Sequence, residues 1–459
     1  MTKDTSNSEQ TKYFNEEIEP LFNTPEMKKI QEGKLQTALQ YFYDNVPFDR
    51  ERMDKAGIKP EDIKSFDDLS RRLPYCGQAD FREIFERVDN DMFKAFELIF
   101  GKDRMDDLHL LTTTSGTTGI PTPYPMFHKS VDMIGEIWGR MATRAGVAPG
   151  DRIAIGFGLS MHAAGTPQLY FFKKMPGITV IPIGAEAGTE RFLQMVKLFK
   201  VNVLTCTPSL AMHLIDRCQE VLGVPIGTLG IKKLLLGAEP GAGIPEIRTR
   251  LESEYGAKVF DLGAGYGVSC DCEEYQGMHW MADDHCHYEL VDPETKKPVP
   301  MEHGATGIAV FTPLDPDSTM FFANLRFTLN DIHQVFTDPC PCGKSGFRYK
   351  IVGRADDMLK VKGVPVYPAA IQGVINGFVP QVTGAFRISL DREPPLVLPP
   401  LQLKIEKGEN LTDAELPDLE KQITDKMHNL LKIRPAITWL EANSLERAMK
   451  KTQLIEKNY

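Results

Sequence analysis

Leu35, Leu39, Phe42 and Tyr43 recur at the spacing of one helix face, and Pro47 closes the run, so a helix is predicted over 34–50. It opens a helical region that reaches about residue 94. From 151 the pattern changes. Short β-rich runs at 152–156, 178–182, 232–237 and 258–261 alternate with helical segments at 189–200, 209–222 and 244–255. Repeated strand–helix alternation predicts an α/β fold with a mainly parallel, helix-covered sheet and ligands at the carboxyl ends of its strands. Between about 289 and 352 the runs shorten and turns multiply, which predicts a small β subdomain.

The last hundred residues read as a second unit. Strand patterns at 359–366, 385–390 and 401–405 intersperse with helical ones at 369–378 and 414–431, giving a small α+β lid. The expected division is therefore 1–355 for the large N-terminal domain, with helical 1–94 and the β subdomain inside it, and 356–459 for a mobile C-terminal lid. Asp356 and Asp357 stand at the hinge, between the Gly353-Arg354 turn and the strand that follows.

Composition narrows the classes. A chain of 459 residues exceeds one compact core and predicts about two or three domains at the usual 100–200 residues each. Its formal charge of −10, with no basic stripe, argues against nucleic-acid binding, which draws its affinity from neutralised phosphates. The polar first dozen residues lack an apolar core, and no uncharged run approaches the length that spans a bilayer. A cytoplasmic enzyme with no membrane contact is expected, and a homodimer is the default assembly. Eight cysteines are too sparse for a disulfide scaffold, yet several crowd into two short segments, which points to metal.

The densest chemistry lies in Thr112-Thr113-Thr114-Ser115-Gly116-Thr117-Thr118-Gly119-Ile120-Pro121. Six hydroxyls and two glycines in one loop offer neutral donors and close backbone approach to anionic oxygens, the makings of a phosphate cradle. It is not the lysine-bearing loop of nucleotide-hydrolysing motors, and Pro121, Pro123 and Pro125 deny a helix after it.

Ser115 to Gly119, followed by Pro121-Thr122, resembles the nucleotide loop of the adenylate-forming enzymes. Asn45-Val46-Pro47-Phe48, Thr207-Pro208-Ser209, Gly237-Ala238-Glu239-Pro240 and Gly353-Arg354-Ala355-Asp356-Asp357-Met358-Leu359 extend the resemblance, in order, to the phenylacetate-CoA ligase branch. Thr122, where many adenylate-forming relatives carry Lys, points the same way. The resemblance implies an AMP-forming acid-thiol ligase that couples an aromatic or related carboxylate to CoA through an acyl-adenylate. ATP and CoA are the implied co-substrates and Mg²⁺ the implied cation. By the same resemblance Ser115, Gly116, Thr117, Thr118 and Gly119 serve the phosphates, with Thr117 catalytic. Gly237, Ala238, Glu239, Pro240, Tyr266 and Gly267 lie against adenine and the acyl group. Asp331 accepts the ribose hydroxyls, and Arg354 assists at ribose or phosphate, where a rigid guanidinium fork suits oxyanions. Lys450 occupies the place of the lid lysine that reaches the α-phosphate, with Lys451 as its alternative because Met449 replaces the usual glycine.

One departure stands out. Relatives follow the Ser/Thr equivalent to Ser269 with a Glu that assists Mg²⁺; here Cys270 holds the place, and a soft thiol is a poor Mg²⁺ ligand. Asp271, Glu273 and Glu274 are the nearest substitutes. A second metal pattern, Cys272 and His279 with Cys340 and Cys342, is a tetrahedral Cys3His set for a structural Zn²⁺, with His285, Cys286 and His287 as competing ligands. The expected acyl pocket is Phe157, Met161, His162, Ala238 and Tyr266, an apolar and aromatic lining from loops after strands. Two other readings remain open at this point: adenylation with a cofactor or amine as acceptor, and a catalytically silent nucleotide-binding zinc protein.

Overall fold

The computed structural model describes residues 12–113, 123–263, 266–315, 324–445 and 454–459. The chain forms two compact units. The first comprises Met1–Gly243, Leu251–Leu329 and Gln334–Lys350; the second comprises Ile244–Arg250, Asn330–His333 and Ile351–Tyr459.

Helix α1, Pro25–Asn45, begins nine residues before the expected start, because Thr24 caps it by accepting the Met27 N–H at 3.3 Å with Pro25 at the first helical position. Pro47 does end it, and at once starts another helix, Pro47–Lys55. The pre-proline residue Val46 is extended (φ −112°, ψ 99°), as proline's ring demands of its predecessor. In the region expected to lack a helix after the hydroxyl-rich loop, β1 (Leu108–Thr113) pairs antiparallel with β2 (Pro123–Phe127).

Five strands then lie parallel: β3 (Arg152–Ile155), β4 (Thr179–Ile181), β5 (Val203–Cys206), β6 (Lys233–Gly237) and β7 (Lys258–Gly263), in the spatial order β4-β3-β5-β6-β7. Helices Thr189–Leu198 and Pro208–Leu222 connect them. Central strand β5 is buried at every position, the mark of a sheet covered on both faces. From β7 the direction alternates, with β8 (Gly267–Ser269) antiparallel to β7 and β9 (Met278–Trp280) antiparallel to β8. The strands expected as a β subdomain over 289–352 do not stand apart. Met278 of β9 pairs with Tyr349 of Arg348–Arg354, and Cys286–Val291 and Thr306–Pro313 belong to the same 14-stranded mixed sheet. An aromatic cluster fixes this end: Trp280 stacks on Phe311 with ring centres 5.4 Å apart and meets Tyr288 edge-on at 5.3 Å.

The C-terminal unit is α+β. The strand pattern at 359–366 is a hairpin, Leu359–Val361 with Val364–Val366, turned by Lys362 (φ 52°) and Gly363 (φ 82°); two successive left-handed residues match the twist of a two-residue hairpin loop. Strands Val382–Leu390, Leu401–Lys407, Pro435–Leu440 and Ile455–Lys457 form a second sheet in this unit. Helix Leu416–Leu431 makes the crossover between two parallel members of it. Ile371, Ile375, Phe386, Ile388, Leu403, Ile405, Ile423 and Met427 are its sealed core. No helix among the described residues is long and apolar enough to cross a membrane.

Candidate active site and metal centre

The parallel strands deliver the motif loops at their carboxyl ends. After β5, Thr207 caps helix Pro208–Leu222 by accepting the Leu210 N–H at 3.2 Å. After the neighbouring β6, Ala238 adopts a left-handed φ of 68°, a strained conformation for a residue with a Cβ. The turn sends Glu239 across to β5's loop, where its Oε1 accepts the Ser209 N–H at 2.7 Å. A carboxylate thus sits at the positive end of a helix, joining two motifs that lie thirty residues apart in the sequence. Gly237 has its own reason: an added Cβ would meet the Leu262 carbonyl of β7 at 2.7 Å.

Asp331 and Arg354 come together in the second unit. Arg354 Nη1 lies 3.5 Å from Asp331 Oδ1, while Nε and Nη2 donate to the two oxygens of Asp356 at 2.9 and 2.7 Å. Desolvation pulls the Arg354 pKa down, but the Asp356 hydrogen bonds and the charges of Asp331, Asp356 and Asp357 more than offset it and hold the pKa above its usual value. The expected hinge residue Asp356 is therefore tied to the expected ribose-binding pair. Ser115, Gly116, Thr117, Thr118, Gly119, Lys450 and Lys451 lie outside the described residues.

Other expected residues sit differently. Tyr266 is 1% exposed and packs edge-on against Trp280 at 5.9 Å, inside the core rather than on an open pocket wall. Gly267 makes room for a side chain of its own protein. A Cβ there would overlap the Tyr349 hydroxyl, which donates to the Gly263 carbonyl at 3.1 Å. Phe157 is buried, whereas Met161 is half exposed in a left-handed turn (φ 53°) and His162 is partly exposed. That turn docks on β1: Thr113 N–H donates to the Met161 carbonyl at 2.6 Å, and Ala163 N–H to the Thr113 carbonyl at 2.9 Å. Asp261 and Tyr275, missed in the sequence, are joined at 2.6 Å, and Asp261's own N–H donates to Ser269 Oγ at 2.9 Å. They carry no motif, and the loop between β8 and β9 brings Tyr275 back to Asp261 of β7.

The metal-ligand set changes at one position. Cys270, His279, Cys340 and Cys342 bring one ligand atom each within 4.8 Å of one another, and Cys270 takes the place expected of Cys272. Cys270 directly follows β8 and His279 lies in the paired strand β9; Cys272 is two residues further on and half-buried. Cys340 and Cys342 flank a tight turn closed by Gly343 (φ 69°), whose N–H donates to the Cys340 carbonyl at 2.9 Å. A tetrahedral ion with Zn–S and Zn–N bonds near 2.3 and 2.0–2.1 Å separates its sulfurs by about 3.8 Å and sulfur from nitrogen by about 3.6 Å. Cys270 Sγ to Cys340 Sγ is 3.7 Å and Cys342 Sγ to His279 Nε2 is 3.5 Å. His279 Nδ1 is 3.3 Å from the Ser345 carbonyl, the outer-shell contact that fixes a ligand imidazole. Burial pushes His279 down to about 4, so its ring is neutral at neutral pH. Hydrogen bonds from Cys340 and then Cys342 pull the Cys270 thiol well below its ordinary range, while the contacts of Cys340 with Cys270 and Cys342 push Cys340 up. The competing ligands are engaged elsewhere: His285 faces Asp284 at 3.4 Å, His287 stacks on Phe66 at 3.7 Å, and Cys286 is buried. Asp271, Glu273 and Glu274 are all exposed.

A parallel sheet with motif loops at its carboxyl ends, followed by an α+β C-terminal unit, defines an adenylate-forming acid ligase. Residues 363–458 match the AMP-binding enzyme C-terminal domain. The chain is 30% identical over 420 residues to the phenylacetate-coenzyme A ligase of Thermus thermophilus, covering 90% of this chain and 88% of the relative. It is 26% identical to the Escherichia coli phenylacetate-coenzyme A ligase across 95% and 96% of the two chains. A solved 2-hydroxyisobutyryl-CoA ligase in the postadenylation state, in complex with R3-HIB-AMP, superposes with a TM-score of 0.82 at 25% identity, covering 94% of this chain and 90% of that one. The chain belongs to the phenylacetate-coenzyme A ligase family and is an AMP-forming acid-CoA ligase that works through an acyl-adenylate.

Proposed function

We propose that the acid is an aromatic or similarly bulky carboxylate and that the residues assigned by sequence pattern carry its activation. The observation that supports this most directly is the Glu239–Ser209 contact, which brings two family motifs together at the carboxyl ends of adjacent parallel strands. In the first half-reaction a carboxylate oxygen attacks the α-phosphorus of ATP, the bond to the bridging oxygen breaks, and pyrophosphate leaves. Charge grows on phosphate oxygens, so fixed donors supply most of the stabilisation. Ser115 to Gly119 hold the phosphates, Asp331 accepts ribose hydroxyls, Arg354 presents its remaining N–H groups, and Lys450 supplies a movable positive charge. Mg²⁺ supplies charge neutralisation to the triphosphate when bound. In the second half-reaction the CoA thiolate attacks the acyl carbon and AMP leaves, after the thiol has given up its proton.

Phe157, Met161 and His162 form the acyl-facing side of this reading, with Ala238. Zn²⁺ is the ion proposed for Cys270, His279, Cys340 and Cys342, as a closed four-ligand structural site with no open position for chemistry. It fastens the end of β8 to β9 and to the 340–343 turn.

The test is pyrophosphate exchange into ATP across a panel of aryl and alkyl acids, with and without CoA. Exchange that depends on an aryl acid, and a CoA thioester when CoA is added, is the expected result. Exchange with alkyl acids and none with aryl acids would overturn the aromatic reading.

A further inference from the structure

One carboxylate near the parallel strands has no part in the chemistry above. Glu186 lies in a short 3-10 turn, Ala185–Ala187, after β4, and reaches back to the loop after the adjacent strand β3. Its two oxygens accept consecutive backbone N–H groups: Leu159 N–H at 3.0 Å on Oε2 and Ser160 N–H at 3.1 Å on Oε1. Two glycines keep the space clear. A Cβ on Gly158 would meet Oε1 at 2.9 Å, and one on Gly184 would meet Oε2 at 2.8 Å. Some desolvation works against the charge, but the N–H bonds from Leu159, Glu186 itself and Ser160, with the nearby His162, hold the Glu186 pKa below the usual carboxylate range.

The clamped dipeptide leads directly into Met161 and His162. Thr166 Oγ1 donates to the Leu159 carbonyl, closing the loop from its far side. Met161 is held left-handed, and its carbonyl takes the Thr113 N–H, while His162 bridges Thr113 in parallel fashion. Thr113 is the residue that directly precedes Thr114 and Ser115 in the chain. One side chain therefore governs a loop that bears the proposed acyl contacts and touches the strand feeding the phosphate-binding motif.

We propose that Glu186 is a positioning residue that sets both acid and ATP binding by clamping the Leu159–Ser160 backbone. The inference rests on the acyl and phosphate assignments made above. It does not make Glu186 a catalytic residue, because the carboxylate acts through the loop and not on a reacting atom.

The experiment compares wild type with Glu186→Ala, Glu186→Gln and the control Glu190→Gln, an exposed carboxylate on the following helix. The acid is the one giving the fastest wild-type exchange. Glu186→Ala is expected to raise KM for both acid and ATP on the order of 10- to 100-fold, the scale of a misplaced binding loop, with kcat less affected. Glu186→Gln retains one acceptor oxygen but turns an amide toward the second N–H, so it is expected to behave like Glu186→Ala. Amide hydrogen exchange at Leu159 and Ser160 is expected to accelerate in both variants and not in Glu190→Gln. Accelerated exchange with both KM values unmoved would overturn the proposal and leave Glu186 a structural clamp. Unchanged hydrogen exchange would overturn it as well. If wild type itself exchanges no pyrophosphate with any acid, the functional reading fails first, and this inference falls with it.

Discussion

Glu239 Oε1 stands 2.7 Å from the Ser209 N–H, so the Gly-Ala-Glu-Pro turn closes over the first turn of helix Pro208–Leu222. The bond is solvent-exposed, with Ser209 at the surface and Glu239 half-buried, and exposed hydrogen bonds contribute little to folding. Their value lies in fixing the β6 loop. Glu239→Ala should leave the unfolding free energy within about 0.5 kcal/mol of wild type. Acid-dependent pyrophosphate exchange should fall on the order of 100-fold through misplacement of the adjoining Ala238 backbone. Thermal melts and exchange assays on the same preparation check both halves; a variant with full activity would sever this turn from catalysis.

The metal centre separates two neighbouring thiols. Cys270 lies in the cluster and Cys272 outside it, so Cys270→Ser should lose about one zinc per chain and Cys272→Ser should keep it. Atomic absorption on the purified variants gives the count. Chelation of wild type should lower its melting temperature to that of Cys270→Ser and leave Cys270→Ser itself unmoved. Zinc lost equally from both variants would show that the ion uses both thiols.

Sequence pattern reached the fold through features that act locally. Pro47 sets an element end by its own backbone chemistry, and the β3 to β7 alternation is plain in the runs of apolar residues, whereas the Lys362-Gly363 turn splits a stretch expected as one strand. The features it missed depend on pairing between distant strands. Whether Cys270 or Cys272 faces His279 is decided by the register of β8 on β9, in which Ser269 opposes Met278. Tyr266, expected against adenine and the acyl group, packs edge-on against Trp280 of β9, and its carbonyl accepts the Met281 N–H at 2.9 Å. Glu186 carries no motif and meets Leu159 only because β4 lies beside β3.

Gly267 tests that packing. A methyl group at this position would overlap the Tyr349 hydroxyl, and overpacking a sealed core costs about 1–3 kcal/mol. Gly267→Ala should therefore unfold at lower denaturant, and adding Tyr349→Phe should recover part of the loss by removing the nearest atom. Denaturant titrations of the two single variants and the double variant measure the coupling. Strict additivity would place the cost elsewhere than in this contact.

His333 provides a pH-dependent test. It is fully buried, and desolvation alone pushes it down to about 3 from 6.5, so the folded protein holds it neutral while the unfolded chain takes up a proton below pH 6.5. Its contribution is present above the unfolded pKa and is lost as pH falls toward the folded one, with a slope of about 1.4 kcal/mol per pH unit for one proton. Asp49, raised to about 6 chiefly by burial, works in the opposite sense, since its folded state binds a proton that the unfolded chain releases above pH 3.8. Its contribution shrinks as pH rises from 3.8 to 6 and cancels much of the histidine slope there.

His333→Gln cannot titrate and should flatten the stability profile below pH 6.5 by about one proton relative to wild type. Denaturant unfolding at closely spaced pH values measures the difference, and profiles that stay parallel would mean that His333 is protonated in the folded protein.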